Sequence, residues 1–247
     1  MGNNPHMNFG RWSSSELDRL FHASSRIENP GDRVDFLSRQ FLGTRYEGST
    51  LIGDHQRPEV FVINLAGVDC FTLIDYIEAM RLSGYFEEFL ENVRKVRYRE
   101  GVVSFENRNH FFTDWQEFNA SLVDDVTEQV GARISKKVTK ILNEGEDGTY
   151  LLSGVLPRKR GIRYIPSSAL DTSVIEKLRT GDYAGIYSEV KGLDVSHVGI
   201  IIKTRNAVYL RHASSAERRK KVVDEDFKKY ISDKPGVIIV RPKRHKR

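Results

Sequence analysis

Two periodicities divide the chain. In the first half, apolar residues recur three and four positions apart, the spacing of an amphipathic helix. Ser13-Ser14-Ser15 offers an N-cap, and Leu17, Leu20, Phe21 and Ala23 follow it at that spacing. A second helix is predicted over residues 32–42, with Val34, Leu37 and Phe41 on one face and Gly43 as its stop. The stretch 44–58, rich in Gly, Ser and Thr, reads as a loop, and residues 60–65 (Val-Phe-Val-Ile-Asn-Leu) read as a strand. After Gly67-Val68-Asp69 the helical spacing returns. Phe71, Leu73, Ile74, Ile77 and Met80 share one face until Gly84 stops the helix. Another helix is predicted over 86–96, and residues 102–150 mix short strands with a helix at about 115–122.

The last third changes character. Residues 182–188, 195–204, 207–213 and 237–241 are predicted strands, the first three separated by turn signals. Helices first and antiparallel strands later predict an α+β domain in place of a doubly wound one. The 247 residues suffice for one sizeable core. At 39% hydrophobic and 30% charged, the composition excludes collagen-like, coiled-coil and extensively disordered classes. The longest apolar runs, such as 198–202, are far too short to span a bilayer.

The net charge of +5 favours anionic partners. It is not concentrated on one predicted face, and no interleaving of basic and aromatic residues marks a nucleic-acid surface. Two basic runs, Arg218-Arg219-Lys220-Lys221 and the terminal Lys243-Arg244-His245-Lys246-Arg247, read as a solvated loop and a frayed end. The single cysteine forbids an internal disulfide. The polar start, Met1-Gly2-Asn3-Asn4-Pro5-His6-Met7, lacks the apolar core of a signal peptide. Either the protein is cytosolic or its signal is absent from this sequence.

That cysteine, Cys70, falls in the first turn of a predicted helix, after an Asp69 able to cap it. Unpaired N–H groups at a helix start stabilise a thiolate, the nucleophilic form. A buried core cysteine is the competing reading of that position alone. The histidines decide between them. His197 lies on the strand Val195-Ser196-His197-Val198-Gly199-Ile200, and His212 on the next. If Arg205 and Asn206 form the tip of a tight hairpin, Thr204 faces Ala207 and the register puts His212 opposite Gly199. His197 and His212 are then diagonal neighbours on one face, roughly 7–8 Å apart at the backbone. Gly199 leaves His212 room to lean across. This arrangement suits a base, His197, and a partner, His212, that orients it. No third ligand at metal spacing accompanies the pair, so no metal and no cofactor is expected.

The order of Cys on a helix, His on a strand and a polar residue on the next strand resembles the NlpC-type, papain-like cell-wall hydrolases. Five segments sharpen the likeness: Leu42-Gly43-Thr44-Arg45-Tyr46, Asn64-Leu65-Ala66-Gly67-Val68-Asp69-Cys70, Arg108-Asn109-His110-Phe111-Phe112-Thr113-Asp114-Trp115, Gly192-Leu193-Asp194-Val195-Ser196-His197-Val198-Gly199-Ile200 and His212-Ala213-Ser214-Ser215. Together they resemble the N-acetylmuramoyl-L-alanine amidase-like branch. Arg45 departs from the proline expected before the cleft tyrosine. The resemblance implies a papain-like α+β domain, a helix bundle packed on an antiparallel sheet. Residues 1–30 would form an N-terminal extension and helix, and 31–247 the catalytic domain with an insertion at about 102–170.

The same resemblance implies a bacterial enzyme of the cell envelope, periplasmic or secreted, monomeric, acting on peptidoglycan or its muropeptide fragments. Its catalytic residues would be Cys70, His197 and His212. Tyr46 would line the cleft. Asn64, Asp69, Arg108, His110, Asp114, Trp115 and Ser196 are candidate substrate contacts, Trp115 by stacking on a sugar and Arg108 by a forked pair with a carboxylate. Packing is the plainer reading of Ser196, and helix capping of Asp69. An endopeptidase cutting between D-glutamate and the diamino acid with the same triad is the nearest alternative. A non-catalytic wall- or nucleic-acid-binding module is the more distant one.

Overall fold

The structure is a computed structural model that describes residues 5–244. Residues 1–4 of the polar start and His245-Lys246-Arg247 of the terminal basic run lie outside the described residues. The helical half comprises β1 (His6–Asn8), α1 (Ser14–Ser25), α2 (Pro30–Arg39), β2 (Arg45–Tyr46), β3 (Val62–Asn64), β4 (Gly67–Val68), α3 (Cys70–Leu82) and α4 (Phe86–Arg97). A connecting part holds α5 (Phe112–Phe118), β5 (Val123–Asp125), α6 (Thr127–Gly131), β6 (Lys136–Leu142), β7 (Arg158–Pro166) and α7 (Thr172–Lys177). Then come β8 (Tyr183–Tyr187), β9 (Val195–Lys203), β10 (Val208–Ala213), β11 (Val222–Asp226), α8 (Phe227–Ile231) and β12 (Gly236–Pro242).

The starts of α1 and α2 obey the expected chemistry. Ser13 and Glu16 form a capping box on α1, and Asn29 caps α2 with Pro30 in its first turn. The main sheet is antiparallel, in the order β11-β10-β9-β8-β12-β7-β6, with β5 pairing β12. Alternate residues of its central strands face opposite layers. On one face Tyr183, Val198, Ile200, Ile238 and Val240 join the core made with α1 to α5. On the other, Ala184, Ile186, Ile201, Leu210, Val237 and Ile239 pack against α6, α7 and α8. The architecture is therefore mixed α and β around a large antiparallel sheet, covered on both faces.

Several elements depart from the sequence reading. The polar start contributes a strand: β1 pairs in parallel with β3, and Phe9 packs edge-on against Phe86 at 5.2 Å. Leu17 and Phe21 of α1 are fully buried in the same core as α3, so β1 and α1 are integrated with the rest of the described residues. Within the segment read as an insertion, β6 and β7 extend the main sheet. Helix α5 begins at Phe112, three residues before the expected start.

The largest departure concerns α3. Its sequence predicts one apolar face, yet Asp75, Glu78 and Arg81 are buried as completely as Leu73 and Ile77. Each charge has a partner. Arg97 Nε donates to Asp75 at 2.9 Å and the Trp115 indole N–H at 3.1 Å. Arg81 donates to Glu78 at 2.5 and 2.8 Å, and the Tyr183 hydroxyl donates to Glu78 at 2.8 Å. Removing one member of such a pair strands the other without water. Asp75→Ala is therefore expected to cost about 3–5 kcal/mol. Asp75→Asn, which keeps an acceptor for Trp115, should cost less. Chemical denaturation of the two variants checks the order.

Candidate active site

Cys70 is the first residue of α3, and the cap behind it is Asp69. The Asp69 carboxylate accepts from the Phe71 and Thr72 N–H groups at 3.0 and 2.7 Å, and Thr72 closes the capping box. The cysteine side chain is half-buried and leans on the sheet, where the Val198 backbone N–H donates towards the sulfur. Burial and the neighbouring Asp69 charge push the thiol up to about 12, against the smaller pull of the N–H groups of Val198, Cys70 and Phe71. The helix start thus directs donors at the sulfur without ionising it at rest.

The hairpin register agrees with the sequence expectation. The Thr204 N–H donates to the Ala207 carbonyl, and Val208↔Lys203 through Arg211↔Ile200 pair in order. One step further His212 reaches Gly199. A Cβ on Gly199 would stand 3.0 Å from the His212 Cβ and 2.8 Å from the end of Leu210, so the position leaves little room for any side chain. His197 Nε2 lies 2.7 Å from His212 Nδ1, with the rings nearly perpendicular. Burial, then the His212 and Lys234 charges, hold His197 down at about 3. His212 is also lowered, chiefly by burial.

Three residues beyond the expected set complete this corner. Glu225 Oε1 lies 2.9 Å from His212 Nε2, and Arg219 pairs with the same oxygen. Tyr230 sets its ring against His212 at 5.0 Å and against His197 at 6.2 Å. Glu225 was open to the reasoning that linked the histidines: His212 pairs Val223 across β10 and β11, so Glu225 is its diagonal neighbour. It was missed because β11, Val-Val-Asp-Glu-Asp, has too many charges to read as a strand. As the outermost strand of the sheet, it tolerates them.

The remaining candidates fall into two groups. Tyr46 is near the sulfur; burial, Cys70 and Asp69 all raise its hydroxyl. Asn64 accepts from the Ala66 N–H at 3.1 Å, holding the turn before β4. Ser196 is exposed, not packed inside, its hydroxyl 3.5 Å from the Ile186 carbonyl. In the second group, Arg108 pairs with Glu59, His110 contacts the Phe105 carbonyl at 2.7 Å, and Asp114 pairs with Arg160. Arg108, His110 and Asp114 line a cavity of about 160 Å³ with Arg99, Glu106 and Arg158. Trp115 does not. It is fully buried on Asp75, which leaves no ring face for a sugar and corrects the stacking expected of it.

A larger cavity, about 590 Å³, lies between the start of α2 and Lys203 and Arg241. Two of its four cations are already engaged: Lys203 by the carbonyls of Ile175, Glu176 and Leu178, Arg241 by Asp182. No helix among the described residues is long and apolar enough to cross a membrane. Among the described residues no group of three or more His, Cys, Asp or Glu is placed to hold a metal ion.

No curated protein sequence matches the chain. A solved structure from Legionella pneumophila is 22% identical, with a TM-score of 0.79 over 93% of this chain and 94% of its own. An N-acetylmuramoyl-L-alanine amidase from Bacteroides uniformis is 25% identical, with a TM-score of 0.69 over 92% of this chain and 99% of its own. A Bacteroides fragilis protein provisionally named as a xylanase is 26% identical, with a TM-score of 0.70 over 83% and 98%. The model of one family, described as AmiA-like and N-acetylmuramoyl-L-alanine amidase-like, matches residues 36–237, and the chain belongs to that family.

Proposed function

We propose that the protein is a cysteine amidase that hydrolyses the bond between N-acetylmuramic acid and L-alanine in peptidoglycan or its fragments, outside the cytoplasm. The observation that supports it most is the His197–His212 contact at 2.7 Å on the hairpin whose Val198 N–H donates towards Cys70 at the start of α3. In this reading the fold is a papain-like variant. Cys70 attacks the carbonyl while His197 takes its proton. N–H groups at the start of α3 stabilise the oxyanion, His197 protonates the leaving amine, and water releases the thioester. Arg108, His110 and Asp114 would receive a polar part of the substrate in the cavity that they line.

The glycosidase suggested by one neighbour's name fits less well. Glycoside hydrolysis uses two carboxyl groups flanking the bond. Two carboxylates at this corner are already committed: Asp69 caps α3, and Glu225 is held by Arg219 and His212. The stem-peptide endopeptidase would use the same three residues and differs only in which bond is presented to them.

Muropeptides incubated with the protein should yield a free lactyl carboxylate and a peptide with N-terminal L-alanine, read by mass spectrometry and N-terminal labelling. Cys70→Ala should abolish the reaction and keep the fold. Labelled diamino acid in place of alanine would establish the endopeptidase, and undiminished cleavage by Cys70→Ala would remove the cysteine mechanism altogether.

The shifted thiol and imidazole also define a pH window. His197 is held near 3 in the fold against an ordinary 6.5, so below 6.5 the unfolded chain binds the proton that the fold refuses. This contribution to stability is lost as pH falls from 6.5 towards 3. Cys70 is held near 12 against 9.0, so above 9.0 the unfolded chain ionises first and stability falls as pH rises. Thermal melts should show the alkaline limb shallower in Cys70→Ala and the acid limb shallower in His197→Gln. Limbs identical to the parent's would show that these two groups do not set the window.

A further inference from the structure

We infer that Glu225, clamped by Arg219, is a positioning residue that fixes the tautomers of both histidines and thereby leaves His197 Nδ1 as the base. The inference rests on the amidase reading for its catalytic meaning, whereas the proton arrangement follows from the chain of hydrogen bonds and the charge of its members. Glu225 is partly buried, which opposes its charge, yet the hydrogen bonds from Arg219 and His212 keep it below the usual carboxylate range. An ionised carboxylate only accepts. The proton between Glu225 and His212, whose atoms are 2.9 Å apart, therefore sits on His212 Nε2. His212 is neutral, its proton affinity lowered by burial, so its Nδ1 carries a lone pair. That lone pair faces His197 Nε2 at 2.7 Å and can only accept, so His197 Nε2 carries the proton. The one basic atom left on the neutral His197 ring is Nδ1.

Arg219 makes the arrangement more than a hydrogen bond. It belongs to the basic run that the sequence assigns to a solvated loop, and it shares Glu225 Oε1 with His212. Without the carboxylate, the guanidinium that shared its oxygen with His212 Nε2 would be left facing that atom, and it can only donate. It would draw the lone pair to Nε2 and drive the His212 proton to Nδ1. His212 would then donate to His197 Nε2, and the His197 proton would move to Nδ1, where it blocks abstraction from Cys70. The two rings would then hold the wrong tautomers with neither of them displaced. The device spans β9, β10, β11 and the loop before β11.

Two measurements test it. In Cys70→Ala protein, which needs no substrate, imidazole ¹⁵N shifts should show His197 protonated at Nε2 in the parent background. With Glu225→Leu added they should show the Nδ1–H form or a mixture. Glu225→Gln, whose carbonyl can still accept from both His212 and Arg219, should keep the parent pattern. In otherwise intact protein, Glu225→Leu should lower kcat by roughly 10- to 100-fold with KM little changed, and Glu225→Gln should restore most of it. In a His212→Ala background, Glu225→Leu should change kcat less than about twofold, because it acts only through His212. An unchanged ¹⁵N pattern in Glu225→Leu would overturn the inference, as would an equal loss of kcat in both backgrounds. A confirmed tautomer switch in a protein that cleaves no muropeptide would retain the relay and reject the amidase reading.

Discussion

Helix α3 carries Asp75, Glu78 and Arg81 into the centre of the core, and buried charge persists only where it is paired and hydrogen-bonded. This requirement organises the rest of the molecule. Arg97 must come from the end of α4 to meet Asp75, Trp115 from α5 to share it, and Tyr183 from the sheet to reach Glu78. Arg81 also donates to the Lys243 carbonyl beyond β12 at 3.0 Å. Four separate segments are thus tied to one helix by directional contacts, and the orientation of that helix determines where its first residue stands. That residue is Cys70.

The candidate site lies at the seam between two structural habits. The sulfur comes from a helix start, where backbone N–H groups are unspent. The imidazoles come from a β-hairpin, where register determines which side chains are diagonal neighbours. Arg211 helps to hold the halves together. It is almost fully buried and reaches Asp224 on β11 and Asp35 on α2, so the strand that carries His212 is locked to the helical layer one residue away. The resting site is neutral, with the thiol pushed up and the imidazole pushed down by the same burial. In the proposed mechanism a proton is transferred at the moment of attack, so the location of the imidazole protons would matter more than the charge of either group.

Fold and site were unequally legible. Helices with a strong start, such as those capped by Ser13 and Asp69, stand near their expected ends because capping is local. The β9–β10 hairpin was legible because a tight turn sets its register. Strands β6 and β11 were not, since edge strands carry Lys and Asp where periodicity leads one to expect apolar residues. Trp115 looked like a sugar platform because a tryptophan beside Asp114 and Arg108 is the same string of letters whether exposed or buried. Only the packing of α5 onto α3 turned it inwards.

What the sequence by itself determined is what depends on near neighbours: the cap at Asp69, the cysteine in the first turn behind it, and the pairing that brings His212 across to His197. Each comes from hydrogen bonds or register within about twenty residues of chain, where alternatives are few. The tertiary structure alone decided which charges are buried. It also decided that the polar start becomes a strand on β3, and that an acidic edge strand and a basic loop meet at Glu225 and Arg219 behind the histidines. Those outcomes depend on contacts between segments distant in sequence, whose free energy comes from shared burial and charge pairing. No local pattern records such contacts, because each partner, taken alone, reads as an ordinary solvated residue.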